Sequence, residues 1–378
     1  MIPTDDGGTF VGRVWRFPLR GPSVVAVRQG MVIDITSRSV PTMRDLLEMD
    51  DPATFARQST GETLCAVEQL LATHTHPDFG HILTPIDLQA IKACGVTFAR
   101  SMLERVIEER AAGKPELAEK MREKVSSLIG DSLRNLMAGS PEAARVKDAL
   151  MEEGVWSQYL EVGIGPDAEV FSKAQVLSAV GHGAAVGLHP ISKWNNPEPE
   201  MVLAVDSNGT VKGATLGNDV NLRDVEGRSA LLLGKSKDNN ASCAIGPFIR
   251  LLDGSFTLDD IRQADIDLTI EGKDGYVLHG RSSMKEISRD PLDLVSQTVG
   301  RHHQYPDGFV LFMGTMFAPV DDREIEGQGF THKIGDVVSI SNRKLGTLQN
   351  TVSLSTECPP WEFGISHLMR NLARRGLL

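Results

Sequence analysis

Two turn signals constrain this chain more than anything else in it. Asn208–Gly209 sits between the apolar runs 201–205 and 210–215, and Asp274–Gly275 sits between 267–270 and 276–278. Asn-Gly and Asp-Gly tolerate the left-handed backbone that a two-residue hairpin turn demands, so each reads as an antiparallel hairpin. Further apolar strands fit 309–312 and 337–340. A doubly wound sheet needs helices alternating with strands, and that rhythm is missing from 156–378. The region is therefore expected to be β-rich, mixed or antiparallel, with no internal repeat and no low-complexity segment.

Upstream the pattern changes. Residues 24–27 and 31–35 flank Gln29–Gly30 and predict another hairpin. Over 43–72 the spacing of Leu46, Leu47, Phe55, Leu64, Val67, Leu70 and Leu71 predicts helix. Residues 86–155 read as strongly helical, through 101–109 and a charged stretch at 115–137. Ser140–Pro141–Glu142 is a capped helix start, predicting a helix that runs to Gly154. At 378 residues the chain exceeds one small core. The expected division is a mixed α/β domain at 1–85 and a catalytic region at 86–378, the latter comprising a helical segment (86–155) and a β-rich core (156–378).

Net charge is −11, which argues against nucleic acid or an anionic membrane as partner. No apolar run approaches the ~18 residues needed to span a bilayer. The N-terminal residues lack the basic start and apolar stretch of a secretory leader. Cys65, Cys94, Cys243 and Cys358 are scattered without a Cys-x-x-Cys pair, which suits a reducing cytoplasm.

The chemistry gathers around Asn195–Asn196–Pro197–Glu198–Pro199–Glu200. Side chains two apart in extended chain share a face, and proline holds the preceding residue extended. Glu198 and Glu200 then project side by side and need a cation or a proton between them. The returning strand of the hairpin carries Asp219 back toward them. Three oxygen donors with no nearby His or Cys suit Mg²⁺, Mn²⁺ or Ca²⁺, although the spacing alone also fits solvated surface acids. Gly234–Lys235–Ser236 is no P-loop, because Ser229 stands where that motif needs glycine. Gly163–Ile164–Gly165 and Gly181–His182–Gly183 fail the dinucleotide fingerprint. No Gly-x-Ser-x-Gly elbow is present, and His302–His303 lies in a loop expected to be exposed.

The order of these fragments resembles the fumarylacetoacetate hydrolase superfamily: Glu198–Pro199–Glu200, then 218–224 (Asn-Asp-Val-Asn-Leu-Arg-Asp), then Gly234–Lys235–Ser236, then Gly314–Thr315, with 345–350 as a closing strand. The resemblance implies an α+β fold. Its β-rich C-terminal domain of rolled mixed sheets would accompany a smaller N-terminal mixed domain and a helical middle segment. It implies Mg²⁺ (or Mn²⁺ or Ca²⁺) on Glu198, Glu200 and Asp219, a chelated 2-keto acid, and a homodimer or homotetramer. It further implies Lys235 beside the metal and substrate contacts at Ser101, Arg223, Glu226, Asn239, Gly314 and Thr315.

Hydrolytic members carry a His and a Glu that activate water. Here Ser101 stands for that histidine and Glu104 keeps the acid, which disfavours carbon–carbon hydrolysis. The chain most resembles the bacterial branch of 2-keto-3-deoxy-pentonate (xylonate/arabinonate) dehydratases of pentose catabolism, which yield 2-oxoglutarate semialdehyde. In that reading Glu104 or Lys235 is the base that removes the C3 proton. The alternatives are a hydrolase of acylpyruvates or 2,4-diketo acids, and a non-catalytic metal or sugar-acid binding protein.

Overall fold

The computed structural model describes residues 2, 7–73, 75, 76, 80–118, 136–152, 154, 156–324 and 328–378. Its architecture is α+β. Both turn signals close hairpins: Pro199–Val205 pairs with Val211–Asp219, and Asp265–Glu271 pairs with Val277–Ser283, all antiparallel. In the first turn Gly209 adopts φ +82°. Asp206 Oδ1 accepts the N–H groups of Asn208 and Thr210 at 2.9 and 2.8 Å, which secures the turn locally.

Ten strands form the main path of the large sheet, in the order Glu62–Ala66, Met31–Asp34, Gly21–Arg28, Phe10–Arg16, Cys243–Leu251, Val211–Asp219, Pro199–Val205, Phe309–Phe312, Ala90–Cys94 and Val170–Ala174. Thr75–His76 and Gly80–Leu83 branch from it at Phe10–Arg16. Strands from before residue 85 and from after residue 156 thus share one sheet. Phe10 pairs with Arg250 across that junction. A second sheet runs Val277–Ser283, Asp265–Glu271, Val337–Asn342, Gly346–Leu354, Ala185–Leu188.

The two sheets pack face to face. Met201, Leu203 and Leu216 of the large sheet meet Leu268, Ile270, Val338 and Ile340 of the small one. On the opposite face Val202, Ala204, Ile245 and Ile249 are covered by Leu46, Leu47, Ala53 and Ala56 from two short helices. Pro199–Val205 is therefore buried on both sides, which explains why its sequence is continuously apolar rather than alternating.

The 43–72 expectation needs correction. That stretch is two helices, Met43–Leu47 and Pro52–Gln58, then the strand Glu62–Ala66, then the helix Val67–Thr73. Leu64 matched the helical period but sits in the strand. Gly61 admits this: a Cβ there would lie 1.9 Å from the Asp34 carbonyl oxygen, so only glycine lets the chain pair so closely. The helix expected from Ser140 is Pro141–Glu152. It packs with Ala99–Arg110 and Gln158–Ile164 in a separate apolar cluster containing Met102, Val106, Leu150 and Leu160. Most of the charged 115–137 stretch lies outside the described residues. Among the described residues, no helix is long and apolar enough to cross a membrane. All four cysteines are free and buried.

Candidate metal centre and active-site cleft

Strand register builds the site. Pro199 pairs with Asn218, and the Asp219 N–H donates to the Glu198 carbonyl at 3.0 Å. Glu198 and Asp219 are therefore opposite one another, and Glu200 follows Glu198 on the same face. One oxygen from each lies within 4.8 Å of the others, a spread compatible with one cation at bond lengths of ~2.0–2.6 Å. All three are buried, at 1%, 0% and 1% exposure. This removes the solvated-surface explanation of their spacing.

Three cations reach this cluster. Lys237 Nζ contacts Glu198 Oε2, and lies 3.3 Å from Asp219 Oδ2. Lys173 Nζ lies 2.9 Å from Asp219 Oδ1 and also donates to the Lys237 carbonyl. Arg105 Nη2 donates to Glu198 Oε1, while Nη1 lies 2.5 Å from Glu108 and 2.8 Å from Glu226. Burial alone would raise the Glu198 carboxyl, but Lys237 and Arg105 hold it below the usual range. Among the described residues Glu200 has no ion pair of its own. It accepts the Gly314 N–H at 2.7 Å and the Thr315 hydroxyl at 3.4 Å. Burial, then the charges of Asp219 and Glu198, push it well above the carboxylate range.

The cleft beside these acids is lined by Ser101, Arg105, Tyr159, Glu169, Glu226, Lys237 and Thr315, among others. Lys173 and Lys237 meet Asp219 and Glu198, while Arg105 is shared among Glu198, Glu226 and Glu108. Three convergent carboxylates, of which Glu200 has no ion pair among the described residues, fit a dication bound by oxygen. Burial also raises Glu169 above its ordinary value and pushes Glu226 up to about 7 despite Arg105 and Lys237. Lys237 moves upward: burial opposes its charge, but Asp219, Glu198 and Glu226 outweigh that and hold it protonated.

The structure redistributes several residues expected at the site. Lys235 points outward and bonds His189 Nε2 at 2.9 Å; Lys237, two residues on, is the lysine at the acids. Side chains two apart on the Leu233–Lys237 helix face opposite ways, so only one of them can enter. Glu104 pairs with Arg223 at 3.4 Å and is absent from the cleft wall. Arg223 is buried away from it, bonded to Glu108 at 2.6 Å and the Pro319 carbonyl at 3.0 Å, over the Trp194 ring. The Asn239 side chain donates to the Lys235 carbonyl, at 3.0 Å. Ser101, Glu226 and Thr315 do line the cleft, and Gly314 acts through Glu200. The Ser101 hydroxyl is turned to the Phe98 carbonyl at 2.9 Å.

Five residues escaped the sequence reading, Lys237 first among them. Arg105 was findable: with Ser101 and Glu108 it falls at i, i+4 and i+7 on one helix face. Tyr159, Lys173 and Glu169 carry no motif. Glu169 sits just before a strand, its carboxylate over Gly95, where a Cβ would lie 1.8 Å from Oε2.

The sequence profile of the fumarylacetoacetate (FAA) hydrolase C-terminal family matches residues 162–353, the stretch holding every metal-site acid. The chain belongs to this family. A 2-dehydro-3-deoxy-D-arabinonate dehydratase of Saccharolobus solfataricus is 33% identical over 182 residues, 48% of this chain and 57% of that protein. A probable 2-keto-3-deoxyxylonate dehydratase of Haloferax volcanii is 32% identical over 213 residues, 56% of this chain and 68% of that protein. Among solved structures, a 2-keto-3-deoxy-D-arabinonate dehydratase complexed with magnesium and 2,5-dioxopentanoate aligns with TM-score 0.62 at 22% identity, over 91% of this chain and 99% of that one. The fumarylacetoacetate hydrolase of Exiguobacterium antarcticum aligns with TM-score 0.57 at 15% identity, over 92% and 99%. These likenesses establish that the fold is shared well beyond the matched C-terminal region.

Proposed function

We propose that this family member is a Mg²⁺-dependent hydro-lyase that dehydrates a 2-keto-3-deoxy sugar acid, 2-keto-3-deoxy-D-pentonate, to 2-oxoglutarate semialdehyde. The observation that carries the reading is the cleft itself. It joins a buried three-carboxylate site to a protonated lysine and an unpaired carboxylate, and among the described residues its wall holds no histidine. Both curated relatives are dehydratases of this substrate class.

Glu198, Glu200 and Asp219 would hold the ion, which supplies Lewis acidity toward the keto acid. Lys237, kept charged by its acids, stabilises the negative oxygen that develops when the C3 proton leaves. Glu169 takes that proton. Its carboxylate has no hydrogen-bond partner among the described residues, and burial raises its basicity above that of an ordinary carboxylate. The C4 hydroxyl then leaves as water, taking up a proton. The resulting 3,4-unsaturated keto acid tautomerises, a C5 proton leaving and one returning to C3, and the enol so formed ketonises to the C5 aldehyde. Carbon–carbon hydrolysis asks in addition for a base that activates water, and the cleft wall offers no imidazole for it.

The test is a product assay. Incubation with 2-keto-3-deoxy-D-pentonate and Mg²⁺ should yield an aldehyde detectable through an aldehyde dehydrogenase, with little pyruvate from acylpyruvates. Pyruvate release without aldehyde would overturn the proposal in favour of the hydrolase.

A further inference from the structure

We propose that Glu226 makes the cleft selective for 2-keto acids with a hydroxyl at the far end of the carbon chain, at C5, and against acids of equal length with an apolar tail. The inference rests on the reading of the cleft as a 2-keto acid site.

Glu226 ends the short helix Arg223–Glu226 and is 5% exposed. Its Oε2 lies 2.8 Å from Arg105 Nη1 and 3.9 Å from Lys237 Nζ, yet meets the geometry of a hydrogen bond with neither. Both cations are engaged elsewhere, Arg105 by Glu108 and Glu198, Lys237 by Glu198 and Asp219. The oxygen therefore has charge compensation but an unused acceptor site in the cleft.

Position follows from Arg105. One guanidinium spans Glu198 and Glu226, so the two carboxylates stand about its width apart. Both line the same cleft, and the inference sets a keto acid with its head at the Glu198 end and its tail at Glu226. Above the value near 7 to which burial raises it, Glu226 is ionised between Arg105 and Lys237 and only accepts hydrogen bonds. A tail hydroxyl donates to it; a methylene tail displaces water from a buried anion and gives nothing back. Sites of this kind discriminate chiefly by the cost of the unmet polar group.

The test uses two ligands that cannot lose a C4 hydroxyl: 2-oxopentanoate and 5-hydroxy-2-oxopentanoate. Their affinities are measured by calorimetry with saturating Mg²⁺ at about pH 8, where Glu226 is ionised. The parent protein should bind the hydroxylated acid roughly 10- to 100-fold more tightly, the value of one hydrogen bond to a buried charge. Glu226→Gln should narrow that ratio, and Glu226→Leu should invert it. Equal affinities in the parent, or an unchanged ratio in the variants, would overturn the inference. If Glu226→Leu does not fold, the isosteric Glu226→Gln still decides. Neither probe turns over, so the result is independent of the dehydratase reading, which fails separately if the sugar acid gives no aldehyde.

Discussion

Replacing Glu200 by Gln should change stability in opposite directions with and without metal. Without metal, Glu200 faces Glu198 and Asp219 with oxygens within 4.8 Å. Two unit charges at that distance repel by about 3.5 kcal/mol at an effective dielectric of ~20. Burial, and then this repulsion, push Glu200 toward its protonated form. A carboxyl raised by folding costs nothing while the pH stays below its unfolded value of ~4.3. As pH climbs beyond that value the unfolded chain ionises first, and metal-free stability falls until the folded group also ionises. Glutamine imitates the protonated form and removes this loss. Its carbonyl can keep the Gly314 N–H bond.

With Mg²⁺ the order reverses. At a concentration 100 times Kd, the ion stabilises the parent by about 2.7 kcal/mol. Loss of one ligand charge, weakening binding about 100-fold, would leave about 0.4 kcal/mol at the same concentration. The assay is thermal melting at pH 5 to 8, with EDTA or with Mg²⁺. The metal-free variant should melt at or above the parent, by a margin that grows with pH, and should gain little from Mg²⁺. A variant that melts below the metal-free parent, or gains as much from Mg²⁺, would refute the assignment of Glu200 as the uncompensated ligand.

Other expectations follow from the same geometry. Lys237→Ala should reduce kcat/KM by at least about 100-fold, the scale of a lost oxyanion donor, whereas Lys235→Ala should stay within a few-fold; steady-state kinetics of both decides between them. Glu169→Gln should lower kcat far more than KM. In the parent, the acid limb of the kcat/KM profile should lie above the ordinary carboxylate range, because Glu169 must be ionised to act and burial raises it. Glu104→Gln loses an ion pair with Arg223 outside the cleft, so melting temperature should drop while kcat holds.

Much of this was legible in the sequence because it was encoded locally. The turns at Asn208–Gly209 and Asp274–Gly275 name their own hairpins. Two glutamates separated by a proline must share a face in extended chain. What stayed hidden depended on facing. Lys235 matched the motif and Lys237 did the work of position, a difference set by one half-turn of helix. Glu104 and Arg105 are adjacent, yet the helix turns one toward Arg223 and the other toward Glu198. Lys173 and Glu169 arrive from a strand whose partner, Ala90–Cys94, is about 80 residues upstream, and nothing near them announces that pairing. The strand Glu62–Ala66 was masked by leucines that happen to fit a helical period.

The junction of Phe10–Arg16 with Cys243–Leu251 has a consequence for how the molecule comes into being. The N-terminal hairpin can form as soon as residues 10–28 exist, and Gly80–Leu83 then covers residues 13–16 of its outer edge, but the Phe10–Val11 end of that edge stays open until residues 249 and 250 have joined the chain. An exposed, apolar strand edge is a template for the wrong neighbour, and contacts so distant in sequence are slow to close. A newly made chain must therefore keep that edge occupied or shielded over most of its synthesis. Fragments ending before residue 243 should accumulate as aggregates, even though they contain the complete Glu198, Glu200 and Asp219 set.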